Sequence, residues 1–447
     1  MSQTIELPKK ANRLKTASLN NKLVNDYWTE VFEAPKVGRK VCWYEGVAIN
    51  PLMQAADVAW VHGEAWSALL AARNNEEPAQ QASENRGYLK DLCSYARTHI
   101  GCGVMAQNKG EASGASFSDA LGANALADNV PAPDMFISAY PYCSTGQQWD
   151  EMLYRLFKKK VPIFNISVPW VWGNKPDSVY LGGSEFREAV EYMKRQLREC
   201  VKFIEAQTGK PYDWDKLHEI MHYTKQAGQL RMEAMEMCAT KPAPASFFDW
   251  TTSLAPVNFV PGGPAIVDYF EKVKIEIADR IARGEGTVPK ERYRLFWDGI
   301  MNWNKIGWLA NKFASYDAAM VAGRYTHMGF WHEHECIDVN DPLEGMAINY
   351  LVCPINLSAP LMIEQIIKLC KFYEIDGVVL HAARTCRAFS NPQYMIAEAV
   401  ARRLNLPVAM IEGDMVDESF YKDEVVSSRI EAMLEAIESR KRAGIAA

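Results

Sequence analysis

Compact apolar runs alternate with longer stretches in which apolar residues recur at helical spacing, and this alternation organises the chain from Gly38 onward. In the first half, the runs at 40–44, 58–61, 134–139 and 161–166 predict strands. A second set follows at 293–297, 317–321, 377–381 and 407–412. Each run is short, apolar throughout and bounded by turn residues, the pattern of a parallel strand buried on both faces.

Helical patterns fill the gaps, at 51–56, from Glu64, over 83–99 with Ser83 as cap, and from Gly146. The middle differs. Residues 184–209 and 214–238 are long and amphipathic, with charges dense on one side. Residues 241–264, rich in Pro and aromatics, predict a loop crossing between lobes, and a helix over 265–283 ends at Gly284 and Gly286. A charged helix over 424–442 closes the chain. The sum predicts an α/β protein of two Rossmann-like parallel-sheet lobes, 38–180 and 286–447. A helical insert (181–285) separates them, and an N-terminal extension (1–37) docks on the body or on a partner. No internal repeat is visible.

Composition narrows the class. The 447 residues are 48% hydrophobic and 23% charged, as in a soluble globular protein. A net charge of −6 supplies no general field for nucleic acid or anionic membrane, and no apolar run is long enough to span a bilayer. The N-terminus lacks an apolar core after its charges, so a cytoplasmic location is expected. Thirteen Trp and nineteen Met suit packed cores and interfaces, or a dry cavity around a flat acyl group.

Ten cysteines in a reducing compartment read as buried small hydrophobes, metal ligands or catalysts rather than disulfides. No CxxC occurs, so any metal site must be assembled from distant segments. Cys143 lies just past one expected strand (AYPYCSTG) and Cys386 just past another (AARTCRAFS). Ligands collect beyond the carboxyl ends of parallel strands, so these loops of opposite lobes point to a shared cleft. Spacing alone cannot select ligands among ten candidates. The run His332-Glu333-His334-Glu335-Cys336 lacks the spacing of a helical zinc site and reads as a solvated turn. No phosphate-binding loop is present.

The segments DLCSYARTHIG, PDMFISAYPYCSTGQQW, DGVVLHAARTCRAFS and LPVAMIEGDMVDESF stand in the order found in one superfamily. With them the chain resembles the benzoyl-CoA reductase and 2-hydroxyacyl-CoA dehydratase subunits. It is most similar to the larger substrate-side subunit of ATP-dependent benzoyl-CoA reductases. The resemblance implies one 4Fe-4S cluster held by Cys93, Cys143 and Cys386, with Cys102 the rival for the first place. Three thiolates leave one iron open, able to accept a thioester carbonyl oxygen and pass it an electron. A ketyl radical anion would follow, losing a hydroxyl in the dehydratases and dearomatising a ring in the reductases. A low potential implies a dry site with aromatic surroundings and few hydrogen bonds to sulfur.

The resemblance further implies a homologous second substrate-side subunit, an aromatic CoA thioester as substrate, and ATP-hydrolysing electron-activating subunits with their own cluster, fed indirectly by ferredoxin. The family's acid after a proline falls here on Leu52 or Met53, which favours ring reduction over dehydration, although Glu45 or Glu64 could replace it. Proton donors are sought among His62, His99, His327 and His381, with His381 and His62 taken as catalytic candidates.

Overall fold

The computed structural model describes residues 10–46, 49–109, 115–139, 141, 143–171, 183–327, 335 and 337–444. The run 332–336 falls outside them except for Glu335.

All eight expected strands form, within one or two residues of their anticipated bounds. They are β1 (Val41–Gly46), β2 (Ala59–His62), β3 (Met135–Ala139), β4 (Ile163–Asn165), β5 (Tyr293–Asp298), β6 (Ala318–Gly323), β7 (Gly377–Ala383) and β8 (Val408–Gly413). Two parallel sheets result, ordered β2-β1-β3-β4 and β6-β5-β7-β8. Every residue of β1, β2, β3, β5 and β6 is buried, because helices cover both faces of each sheet. The edge strands β4 and β8 are less covered, with Asn165 and Glu412 exposed. The two sheets share one strand order, second-first-third-fourth, although the sequence carries no visible repeat. In each, the order reverses between the first and third strands, and the crevice that ligands favour opens there.

The middle of the chain is helical, led by Ser184–Thr208, Trp214–Glu236 and Pro264–Ala282. Two expectations need correction here. The crossing segment 241–264 contains short buried helices, Phe247–Thr252 and Leu254–Phe259. The first is started by a capping box in which the Ser246 hydroxyl accepts from the Asp249 N–H while the Asp249 carboxylate accepts from the Ser246 N–H. The continuous helix expected over 83–99 is in fact two, Glu77–Asn85 and Ser94–Lys109. Gly87 turns the chain between them with a φ of 101°, a conformation costly to other residues. Cys93 therefore precedes a helix instead of sitting inside one.

The N-terminal extension docks on the body. Its helix Ala17–Glu33 stacks Tyr27 on Phe259 with ring centroids 4.7 Å apart, and sets Trp28 against Trp66 at 4.5 Å. Arg13 adds a 2.8 Å ion pair to the buried Asp249.

Candidate functional site

Cys93, Cys143 and Cys386 line one cavity of about 540 Å³. Cys143 follows β3 and Cys386 follows β7, so they occupy the same station, the exit of the third strand, in the two sheets. Cys93 enters from the β2-to-β3 connection of the first sheet. The remaining wall is largely polar, with Ser144, Thr145, Gln147, Thr385, Arg387 and Asn391, and Trp170 is its aromatic member. The expectation of aromatic surroundings is corrected accordingly: strand-exit loops carry turn and capping residues, and these are polar.

Local backbone explains how each thiol is held. Cys143 is the N-cap of helix Ser144–Leu156, and its Sγ accepts the Gly146 N–H at 3.3 Å. The Ala96 N–H bears on the Cys93 sulfur and the Phe389 N–H on the Cys386 sulfur, again three residues downstream. Each cysteine thus places its sulfur over a helical turn where backbone donors lack intrahelical partners. Few hydrogen bonds to sulfur were expected; Cys143 receives one, from the Gly146 N–H, while Cys386 caps its helix without a side-chain hydrogen bond.

Burial opposes that donation. It pushes all three thiols up, most plainly Cys93, whose thiol also feels Cys386 and Cys143. Cys386 is raised further by Cys143 and Glu64. Three like charges cannot share this cavity without a compensating cation. Among the described residues, no group of three His, Cys, Asp or Glu side chains is arranged to hold a single metal ion. A multinuclear cluster asks for thiols spread round a cavity rather than converging on a point, and this donor set fits that demand. Cys102 is fully buried in helix Ser94–Lys109 beside Trp66, does not line the cavity, and is pushed up to about 12 by burial.

A second, apolar cavity of about 160 Å³ has Tyr95 and Tyr325 in its wall, and both phenols feel the charge of Cys386. Its walls include Leu69, Phe259, Trp303, Tyr325, and Tyr95 from the helix that follows Cys93. His62 and Glu64, at the end of β2 and the start of helix Gly63–Ala72, also face it. Glu64 is close enough to raise both Cys143 and Cys386, so it stands on the side of this cavity nearer the thiols. Burial lowers His62 to about 4, so its imidazole is neutral near pH 7. His381 lines neither cavity; it is buried at β7, with its Nδ1 2.6 Å from the Ile300 carbonyl. His99 and His327 are also buried, each lowered to about 3 by desolvation.

Comparison with known proteins decides the family. The family model described as 2-hydroxyglutaryl-CoA dehydratase, D-component, matches residues 48–437. This chain belongs to that family. It is 27% identical over 424 residues to the (R)-2-hydroxyisocaproyl-CoA dehydratase alpha subunit of Clostridioides difficile, spanning 94% of this chain and 96% of the relative. It is 26% identical over 376 residues to one of the benzoyl-CoA reductase subunits of Thauera aromatica, spanning 81% of this chain and 80% of the relative. The lactoyl-CoA dehydratase subunit alpha of Anaerotignum propionicum matches at 26% over 413 residues, 92% of this chain and 94% of the relative. All three are named as one subunit of an enzyme acting on, or named for, a CoA thioester. The names of these relatives cover both dehydration and reduction.

Proposed function

We propose that this chain is the cluster-bearing, substrate-side subunit of an oxygen-sensitive enzyme of the ATP-dependent benzoyl-CoA reductase type. It would transfer low-potential electrons to an aromatic CoA thioester, with ring dearomatisation to a cyclic diene. The observation that carries this reading is the meeting of Cys93, Cys143 and Cys386, from three segments and two sheets, in one cavity. Held by those thiolates, a 4Fe-4S cluster would supply one-electron transfer and, at the iron without a cysteine, a Lewis-acidic seat. Loading it releases the protons that burial keeps on the thiols.

The chain's own residues supply the rest. Tyr95, Trp303 and Tyr325 enclose an apolar space that suits a flat acyl group and excludes water. Glu64 and neutral His62, in its wall, are placed to move a proton to or from a group seated there. His381 would act only through the structure around it.

Glu64 also favours a second reading, the 2-hydroxyacyl-CoA dehydratase. Leu52 and Met53 are buried and apolar, but Glu64 supplies the acid missing there, and the 2-hydroxyisocaproyl-CoA relative overlaps more of the chain. A homologous second subunit, and ATP-hydrolysing activating subunits with their own cluster fed by ferredoxin, complete the enzyme under either reading. Trp170 in the cavity wall, with Leu89 and Tyr394 on the segments leading into Cys93 and out of Cys386, presents exposed apolar surface for such partners. No described helix is long and apolar enough to cross a membrane, in keeping with the proposed cytoplasmic location.

The first experiment is anaerobic purification with iron and acid-labile sulfide analysis; an iron-free protein would end both readings. Product analysis with the partner subunits then separates them. Diene formation with stoichiometric electron consumption supports the reductase, and water loss without net reduction supports the dehydratase. Full turnover by Cys386→Ala in the assembled enzyme would instead leave this chain as a non-catalytic relay or scaffold.

A further inference from the structure

The segment GDMVDESF at the end of β8 carries part of the family resemblance but has no role so far. Asp414 follows that strand directly and is wholly buried. One oxygen, Oδ2, accepts from the Thr385 N–H at 2.9 Å and from the Thr385 hydroxyl at 2.7 Å. The other, Oδ1, accepts a hydrogen bond from the Ser94 hydroxyl. The Thr385 hydroxyl in turn accepts the Ser94 N–H at 2.9 Å, closing a ring of three residues.

The placement of that ring is informative. Ser94 is the residue after Cys93, and Thr385 is the residue before Cys386. Ser94 comes from the first sheet's half of the chain, while Thr385 and Asp414 come from the second. A single carboxylate therefore fixes the backbone beside two of the three cavity thiols, across the divide between the halves. Both its oxygens are used, and neither bond to Thr385 can be made by an apolar residue. An asparagine at this position keeps the shape but offers one acceptor oxygen in place of two.

We infer that Asp414 is a positioning residue that sets the separation of Cys93 and Cys386, and so governs how firmly the cavity grips its cluster. The inference rests on the proposed ligand set. Removing an outer partner of this kind costs roughly ten- to a hundredfold in metal retention. The two segments are otherwise joined near this point by contacts that do not touch residues adjacent to the cysteines. One is the Gln80 side-chain amide donating to the Val416 carbonyl at 3.2 Å.

The test compares wild type, Asp414→Asn and Gln80→Ala, each purified anaerobically as the full chain. Two readouts are taken: the rate of iron loss to a chelator with the electron paramagnetic resonance spectrum of the reduced cluster, and, in iron-stripped protein, the yield of Cys93–Cys386 linkage by a short bis-maleimide, which adds one thiol at each end. Asp414→Asn is expected to lose iron roughly ten- to a hundredfold faster, with an altered spectrum and reduced linkage, while Gln80→Ala stays near wild type. Wild-type retention and linkage in Asp414→Asn overturn the inference. Equal acceleration in both variants also overturns it, since loosening of the halves would then be the cause. If wild-type protein binds no iron, the cluster reading fails on its own, and the linkage yield still judges Asp414. Should Asp414→Asn not fold, Thr385→Val, which loses both hydrogen bonds of the Thr385 hydroxyl and keeps the backbone donor to Asp414, is judged by the same readouts.

Discussion

Glu45 Oε1 and His99 Nδ1 lie 3.0 Å apart with both side chains wholly shielded from solvent. Burial pushes the carboxyl well above its usual range, helped by Asp150 and Glu64, and lowers the imidazole to about 3. Burial thus favours the neutral form of each partner over an ion pair.

Linkage gives this pair a pH signature. The unfolded chain ionises Glu45 near its ordinary 4.5 while burial in the fold favours the protonated form, so above that value stability falls as pH rises. His99 acts oppositely: its contribution is complete above its ordinary 6.5 and is lost as pH falls toward about 3. Between 4.5 and 6.5 the two slopes offset one another. Urea unfolding of Glu45→Gln should show stability rising with pH in that window, and a flatter profile than wild type above it. Parallel curves for the two proteins would mean that Glu45 is ionised in the fold.

The pair depends on the absence of a side chain at position 63. A Cβ on Gly63 would lie 1.8 Å from Glu45 Oε1 and 2.2 Å from His99 Nδ1. Gly63→Ala is expected to destabilise the protein by about 1–3 kcal/mol through overpacking, read from the denaturant midpoint. An unchanged midpoint would show that the pair can move aside freely.

Exchange at the cysteines should sort ligand from core thiol. Cys93→Ser, Cys143→Ser and Cys386→Ser should each lower iron content sharply under anaerobic purification. Cys102→Ala should retain iron and lose only stability. The opposite result at positions 93 and 102 would transfer the first ligand to Cys102.

Glu64→Gln separates proton handling from assembly. Iron content and thermal stability should match wild type, while turnover in the complete enzyme falls by about 10²–10⁴-fold. Retained turnover would leave Glu64 as a wall residue alone.

The docked N-terminal helix carries its own test. Trp28 is fully buried among Tyr27, Trp66 and Phe259. Trp28→Ala should cost about 3–5 kcal/mol and expose the segment 10–33 to protease. Protease resistance equal to wild type would place the anchoring elsewhere, at Arg13 and Asp249.

The strands were legible because each is a compact apolar run between turn residues, and burial on both faces leaves no alternation to confuse the pattern. The break before Cys93 was not, since one glycine at position 87 interrupts residues of otherwise helical composition. Cys143 and Cys386 could be placed from strand exits, whereas Cys93 entered through the resemblance, because it follows no strand directly. The donors to sulfur, the ring at Asp414 and the nearness of Glu64 to the thiols depend on how distant segments meet. A local pattern carries no record of such meetings. Apolar lining was expected from the abundance of Trp, yet among the described residues most tryptophans went to the core, Trp303 to the second cavity and Trp170 alone to the cysteine cavity, where capping residues dominate.

The matched strand order of the two sheets has a mechanical consequence. Two of the three thiols are rooted in one half of the molecule and the third in the other. Anything gripped by all three is also a rivet between the halves. Under the proposed function, oxygen that dissolved such a rivet would disable the electron path and unfasten the shell around the apolar cavity in the same event.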